Sequence, residues 1–139
     1  MIIVVDVNIL ISALIKDSAI REIIVKSEQD FCFPEPSMQK IRKYKPLIIE
    51  KSGMSEESIN KVLEILFQFV RIIPVEELKS YWLEAKRIME HIDPEDVTFI
   101  ATALSQEEAI IWSDDKHFER QNELLILKTK NMVDLFYRD

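Results

Sequence analysis

Apolar residues fall along this chain in two rhythms: short unbroken runs, and longer stretches repeating near 3.6 residues. Ile2 to Val5 is a continuous β-branched run, the pattern of a strand buried on both faces. Asp6 follows it directly, and Val7 to Ile15 reads as an apolar helix. Ile20, Ile23 and Ile24 mark one face of a second helix that begins near Ser18. Phe31-Cys32-Phe33 is a short second strand, stopped by Pro34 and Pro36. Ser37 then caps a helix to about Ser52, bent or interrupted near Pro46 and ended by Gly53.

Ser55, followed by Glu56, Glu57 and Ser58, is a helix cap, and Ile59, Val62, Leu63, Leu66 and Phe67 recur behind it at helical spacing. Val70 to Ile73 is a third strand, ended by Pro74. From Glu76 to His91 a helix is expected with Leu78, Trp82, Ala85 and Met89 on one face. Asp93-Pro94-Glu95-Asp96 is a helix start: Asp93 caps, Pro94 takes the first position, and acids fill the first turn. Phe99, Ile100, Ala103 and Leu104 give that helix its buried face. Ala109 to Trp112 is a fourth strand, Leu124 to Leu127 a short fifth, and a last helix runs from about Asn131 to Tyr137. Trp82, Phe67, Phe69 and Phe99 read as core or dimer contacts. Strands alternating with helices imply an α/β fold with a parallel sheet covered on both faces. In such sheets, ligands bind beyond the carboxyl ends of the strands.

Composition narrows the picture. At 139 residues, without repeats or a linker-like tract, residues 1–139 are expected to form a single domain. One cysteine, Cys32, excludes an internal disulfide and a cysteine-built zinc site, and its phenylalanine neighbours suggest a buried thiol. The single glycine, Gly53, excludes a glycine-rich phosphate loop. No apolar run approaches the roughly 20 residues of a membrane span. The opening residues lack the basic flank and cleavage site of a signal peptide, so a cytoplasmic location without membrane attachment is expected. A net charge of −7 argues against a surface that adheres to nucleic acid everywhere, though not against a site built from carboxylates. Locally the balance reverses: Lys40, Arg42, Lys43, Lys45 and Lys51 face only Glu50, forming either a solvated helix face or a phosphate-steering one.

The candidate chemistry is acidic. Asp6 stands just past the first strand, Asp114 and Asp115 just past the fourth, and Asp93 and Asp96 at the start of the helix leading into the fourth. If the first and fourth strands are neighbours, these acids converge. Carboxylates a few ångströms apart repel by several kcal/mol, so clustering them is costly without a cation. Mg²⁺ or Mn²⁺ is the natural partner, able to activate water and stabilise charge on phosphate. Each acid alone also has a structural reading, Asp6 and Asp93 as helix caps and Asp114 and Asp115 as turn residues.

Three segments in order resemble the PIN-domain ribonucleases, a family that includes toxins of many prokaryotic toxin–antitoxin pairs. Val5-Asp6-Val7-Asn8-Ile9-Leu10 is similar to the family's opening D-x-N-x-L/I segment. Asp93-Pro94-Glu95-Asp96-Val97 leading into Phe99-Ile100-Ala101-Thr102-Ala103-Leu104 is similar to its D-x-x-D-x-x-x-x-A-x-A-L helix. Ile111-Trp112-Ser113-Asp114-Asp115-Lys116-His117-Phe118 is similar to its W-S/T-x-D-K-H/D-F segment.

The resemblance implies a three-layer α/β/α fold with a five-stranded parallel sheet in the order 3-2-1-4-5. It implies metal binding and catalysis by Asp6, Asp96 and Asp115, with Asp93 as a further metal-associated acid and Asn8, Ser113 and Asp114 as accessory residues. It also implies a metal-dependent endoribonuclease using Mg²⁺ or Mn²⁺, RNA as substrate, an antitoxin partner and a homodimer. Lys40, Arg42, Lys43 and Lys116 are the candidate RNA contacts; His117 is a phosphate contact or a plain surface residue. One departure stands out: the family's L-E-E-I-x-K-Y segment reads Met38-Gln39-Lys40-Ile41-Arg42-Lys43-Tyr44 here, placing Lys40 at an expected ligand glutamate. Glu35, a turn earlier, is a possible substitute. The alternative is a PIN fold without catalysis that binds RNA or a protein. A haloacid-dehalogenase-type phosphatase fits less well, because Asn8 stands where it needs a second acid, and a receiver domain wants paired acids after the first strand.

Overall fold

The structure, a computed structural model, describes residues 1–137. Five parallel strands, β1 (Ile2–Val5), β2 (Asp30–Pro34), β3 (Val70–Ile73), β4 (Ile110–Trp112) and β5 (Ile126–Leu127), form one sheet in the order β3-β2-β1-β4-β5. The order is the expected one. β1 is central because it pairs on both edges, Val4 opposite Cys32 and Val5 opposite Trp112. Ile3, Val4 and Val5 are fully buried, as an unbroken apolar strand between two helical layers must be.

Helices cover both sides of the sheet. One set comprises α1 (Val7–Ile15), α2 (Ala19–Lys26), α3 (Met38–Lys43), α4 (Lys45–Ser52), α5 (Glu56–Leu66) and α9 (Thr129–Phe136), with α1 packed on α2 and α4, and α2 on α9. The other comprises α6 (Val75–Leu78), α7 (Trp82–Met89) and α8 (Val97–Ser105), with α8 resting on α7, β1 and β2. Within a largely aliphatic core, aromatic rings pair: Phe31 meets Trp112 at 6.1 Å between ring centroids, and Phe33 meets Phe99 edge-on at 5.9 Å. Cys32 is buried there, and burial pushes its thiol up to about 12, so it stays protonated. Among the described residues, no helix is long and apolar enough to cross a membrane.

Two local departures from the sequence reading lie at a helix start and inside a predicted helix. The helix expected from Ser37 begins with a 3-10 turn, Glu35–Ser37, and the Ser37 hydroxyl makes no cap bond. As expected near Pro46, it then breaks at Tyr44, since proline lacks an N–H and fits the first turn of a new helix rather than an interior. Gly53 closes that second helix in the left-handed conformation, φ 70°, with its N–H donating to Ile49 O. The helix expected over 76–91 is likewise divided by a 3-10 turn, Lys79–Tyr81. Leu78, Ala85 and Met89 are buried, while Trp82, the first residue after that turn, is 38% exposed. Phe69 is also exposed, whereas Phe99 is core and Phe67 packs against Phe33.

The α5 cap is as expected: Ser55 Oγ accepts the Ser58 N–H at 3.1 Å. Ser55→Ala leaves that amide unpaired at an exposed helix end and is expected to cost about 1 kcal/mol. Thermal unfolding should register this as a melting temperature lower by roughly 4 °C, and an unchanged value would contradict it.

Candidate metal centre

Strand register builds the site. Because Val5 lies opposite Trp112, the residues that follow them, Asp6 and Ser113, emerge side by side at the carboxyl edge of the sheet. The Asp6 N–H donates to Trp112 O at 3.1 Å, and the Ser113 N–H to Leu127 O at 3.0 Å, extending the ladder by one residue on each side of β4. The Ser113 hydroxyl donates to Asp6 Oδ2 at 2.6 Å and accepts the Asp115 N–H at 3.0 Å. One buried serine therefore fixes the geometry of both strand-end acids. Asp6 takes the N-cap position of α1, but its carboxylate makes no cap bond there; Ser113 holds it instead.

The acids of the Asp93–Asp96 turn arrive from the other side. Asp93 caps the turn through Oδ1, which accepts the Glu95 N–H at 3.0 Å, so the cap reading of Asp93 is correct as far as it goes. Its second oxygen, Oδ2, lies 3.0 Å from His117 Nδ1, and that nitrogen lies 3.4 Å from Asp115 Oδ1. Asp115 in turn caps the 3-10 turn Lys116–Arg120, accepting the His117 N–H at 2.9 Å. Ligand atoms of Asp93, Asp96, Asp115 and His117 all lie within 4.8 Å of one another. Asp6 is not part of this set but shares a cavity of about 110 Å³ with Asp93, Asp96 and Asp115.

Electrostatically this is an uncomfortable place for negative charge. Burial pushes the Asp6 carboxyl up, the Ser113 bond pulls it down, and the Asp115 charge pushes it up again. Asp96 is only 7% exposed, and its Oδ2 is buried with no hydrogen-bond partner. Burial first, then the charges of Asp93 and Asp6, raise Asp96 to about 8. A buried carboxylate oxygen without a donor is costly. A divalent cation would satisfy it and screen its neighbours, and this oxygen-rich set with one nitrogen at its rim fits such an ion.

The remaining candidates divide. Asn8 is exposed and lines the same cavity. Asp114 does not join the donor set: its oxygens accept the Thr129 N–H at 2.8 Å and the Thr129 hydroxyl at 2.6 Å, tying the end of β4 to α9. Lys40 lines the cavity, its ammonium 3.6 Å from Glu95 Oε2. Arg42, Lys43 and Lys116 are exposed and lie outside the cavity wall. Lys45 is engaged elsewhere, on Asn60 and Glu56. Glu35 accepts the Val75 N–H at 3.1 Å, capping α6, and does not stand in for a ligand. Sequence reasoning undervalued His117 and Glu95. Their sole signal was position: His117 two residues past a capping acid, Glu95 inside an acidic turn.

Comparison with known proteins agrees with this architecture. Over 92% of its length the chain superposes on 98% of a chain in the crystal structure of VapBC2 from Rickettsia felis bound to a DNA fragment from their promoter, with a TM-score of 0.67 and 14% sequence identity. At that identity the likeness speaks for the fold alone. No curated protein sequence matches the chain. A family model described as the PIN domain matches residues 4–132. With three ordered motifs, the 3-2-1-4-5 sheet and that match, the chain belongs to the PIN domain family.

Proposed function

We propose that this protein is a metal-dependent endoribonuclease, with Asp6, Asp96 and Asp115 holding a Mg²⁺ or Mn²⁺ ion and Asp93 beside them. One observation carries the reading: Asp96, whose Oδ2 is buried without a partner, lines a cavity together with Asp6 and Asp115. PIN domains are usually nucleases, which agrees with it. When bound, the ion supplies Lewis-acid stabilisation of phosphate charge and a more acidic water. The chain's own residues do the positioning. Ser113 keeps Asp6 and Asp115 aligned, Asn8 offers an amide to the cavity mouth, and Lys40 presents an ammonium that attracts phosphate oxygens. Arg42, Lys43 and Lys116 extend that attraction over the exposed surface.

The proposal takes residues 1–139 as one domain working in the cytoplasm as the toxin of a toxin–antitoxin pair, bound by an antitoxin protein and self-associating as a homodimer. The R. felis neighbour, solved as VapBC2 with DNA, supports a partner protein for this chain.

A second reading, a non-catalytic PIN domain that binds RNA or a protein, is favoured by Lys40, which lines the cavity beside the acids with its ammonium 3.6 Å from Glu95 Oε2. Incubation of the tag-free protein with labelled RNA, in Mn²⁺ or in EDTA, separates the two. Metal-dependent internal cleavage is expected. No cleavage in Mn²⁺ by the natural chain, together with cleavage by Lys40→Glu, would establish the second reading instead.

Ser113→Ala removes both the Asp6 donor and the Asp115 acceptor without touching the ligand atoms. Its Mn²⁺ affinity, by titration calorimetry, is expected to fall about tenfold, as for other outer partners of metal ligands. Affinity within about twofold of the natural protein would show that Ser113 does not orient the acids.

A further inference from the structure

The geometry points to His117 as a nitrogen ligand of the same ion, joining the carboxylates proposed above and tuning the site toward Mn²⁺ and similar transition dications over Mg²⁺. This rests on the metal site proposed above and specifies what it takes. The imidazole is half-exposed, so it contributes little to packing; Phe118, the next residue, supplies the buried anchor of this segment. The turn does not need the ring either, because Asp115 already holds the His117 backbone N–H at 2.9 Å. The ring is nevertheless turned inward, with Nδ1 3.0 Å from Asp93 Oδ2 and 3.4 Å from Asp115 Oδ1. Its ligand atom lies within 4.8 Å of one on each of three carboxylates, including Asp96 with its buried, partnerless Oδ2.

Donor chemistry then sets the preference. A purely carboxylate site takes Mg²⁺ and Mn²⁺ on similar terms, since both accept hard oxygen ligands. Mg²⁺ sheds water reluctantly and gains little from imidazole, whereas transition dications gain more, Zn²⁺ and Co²⁺ strongly and Mn²⁺, which begins the series, modestly. Adding one imidazole to three carboxylates therefore raises affinity for the transition ions selectively.

Pulsed electron paramagnetic resonance on tag-free protein with one equivalent of Mn²⁺ tests this directly, because a bound imidazole nitrogen modulates the Mn²⁺ echo. The chain has two histidines, so the source is easily assigned. The natural protein and His91→Gln are expected to show nitrogen modulation, and His117→Gln to lack it. Calorimetry should find Mn²⁺ affinity about tenfold weaker in His117→Gln, with Mg²⁺ affinity nearly unchanged. His117→Asp should bind Mg²⁺ at least as well as the natural chain, without modulation. Tight Mn²⁺ binding without nitrogen modulation in the natural protein would overturn this inference and leave the proposed nuclease site standing. No Mn²⁺ binding at all would overturn both. Absence of modulation in the natural protein overturns the inference even where a variant folds poorly, and its presence is assigned to His117 when His91→Gln retains it.

Discussion

Asp96→Asn is expected to reduce Mn²⁺-dependent RNA cleavage by at least about 100-fold, the upper end of what losing a mere outer partner costs, while making the metal-free protein more stable. The two effects share a cause. In the unfolded chain this carboxyl titrates near 3.8; in the fold, burial and the charges of Asp93 and Asp6 raise it to about 8. A carboxyl raised in this way favours the fold in its protonated form. Its stabilising share is therefore complete below about pH 4 and is lost as pH climbs through 8. At about 1.36 kcal/mol per pH unit, the ionised group withholds on the order of a few kcal/mol from the metal-free protein above neutrality. Asparagine has the same shape and no charge. In EDTA at pH 8, its melting temperature should exceed that of the natural chain by on the order of 5–10 °C, the gap closing toward pH 4. A variant that lost stability as well as cleavage would mark Asp96 as a structural contact and remove it from the proposed metal site.

The second large effect is expected at Lys40, where charge reversal works in the opposite direction. Lys40 is the one cation against five acids, Asp6, Asp93, Glu95, Asp96 and Asp115, on the wall of the 110 Å³ cavity. A unit charge about 6 Å from a bound ion contributes nearly 3 kcal/mol at an effective dielectric of 20, counted once per unit of charge change. Solvent screening at the cavity mouth reduces that figure. Lys40→Glu is accordingly expected to tighten Mn²⁺ binding by roughly 10- to 100-fold. The same substitution adds a sixth acid to the wall and should lower the melting temperature of the metal-free protein. Calorimetry and thermal unfolding measure the two changes. Unchanged affinity would mean that the ammonium, already 3.6 Å from Glu95, faces away from the ion.

The features legible in the sequence were those set by local chemistry. Ile2–Val5 and Val7–Ile15 have the expected bounds because an unbroken β-branched run and an apolar helix leave few alternatives. Ser55 and Gly53 end their helices where cap chemistry says they should. The sheet order came through the family resemblance, and the register of β1 against β4 then sets Asp6 beside Ser113. Long-range partners were not legible. Glu35 could be placed on a helix near the site, but not on the Val75 amide forty residues away. Asp114 and Asp115 are adjacent and chemically identical, yet one grips Thr129 and the other reaches the acid cluster, a division set by which way each side chain leaves the turn. Trp82, at the first position of α7, is 38% exposed although Ala85 and Met89 on the same helix are buried, a difference that apolar spacing alone does not encode. His117 had no apolar pattern to assign it, and only folding brings Asp93 to its ring.

The central claim is that carboxylates from three distant stretches of chain share one divalent ion. A crystal soaked in Mn²⁺, with diffraction recorded at the manganese absorption edge, tests it most directly. One strong anomalous peak is expected in the cavity, within about 2.3 Å of oxygens from Asp96 and Asp115 and near Asp6. A map without a peak there, or with manganese bound only at other acids on the surface, would contradict it.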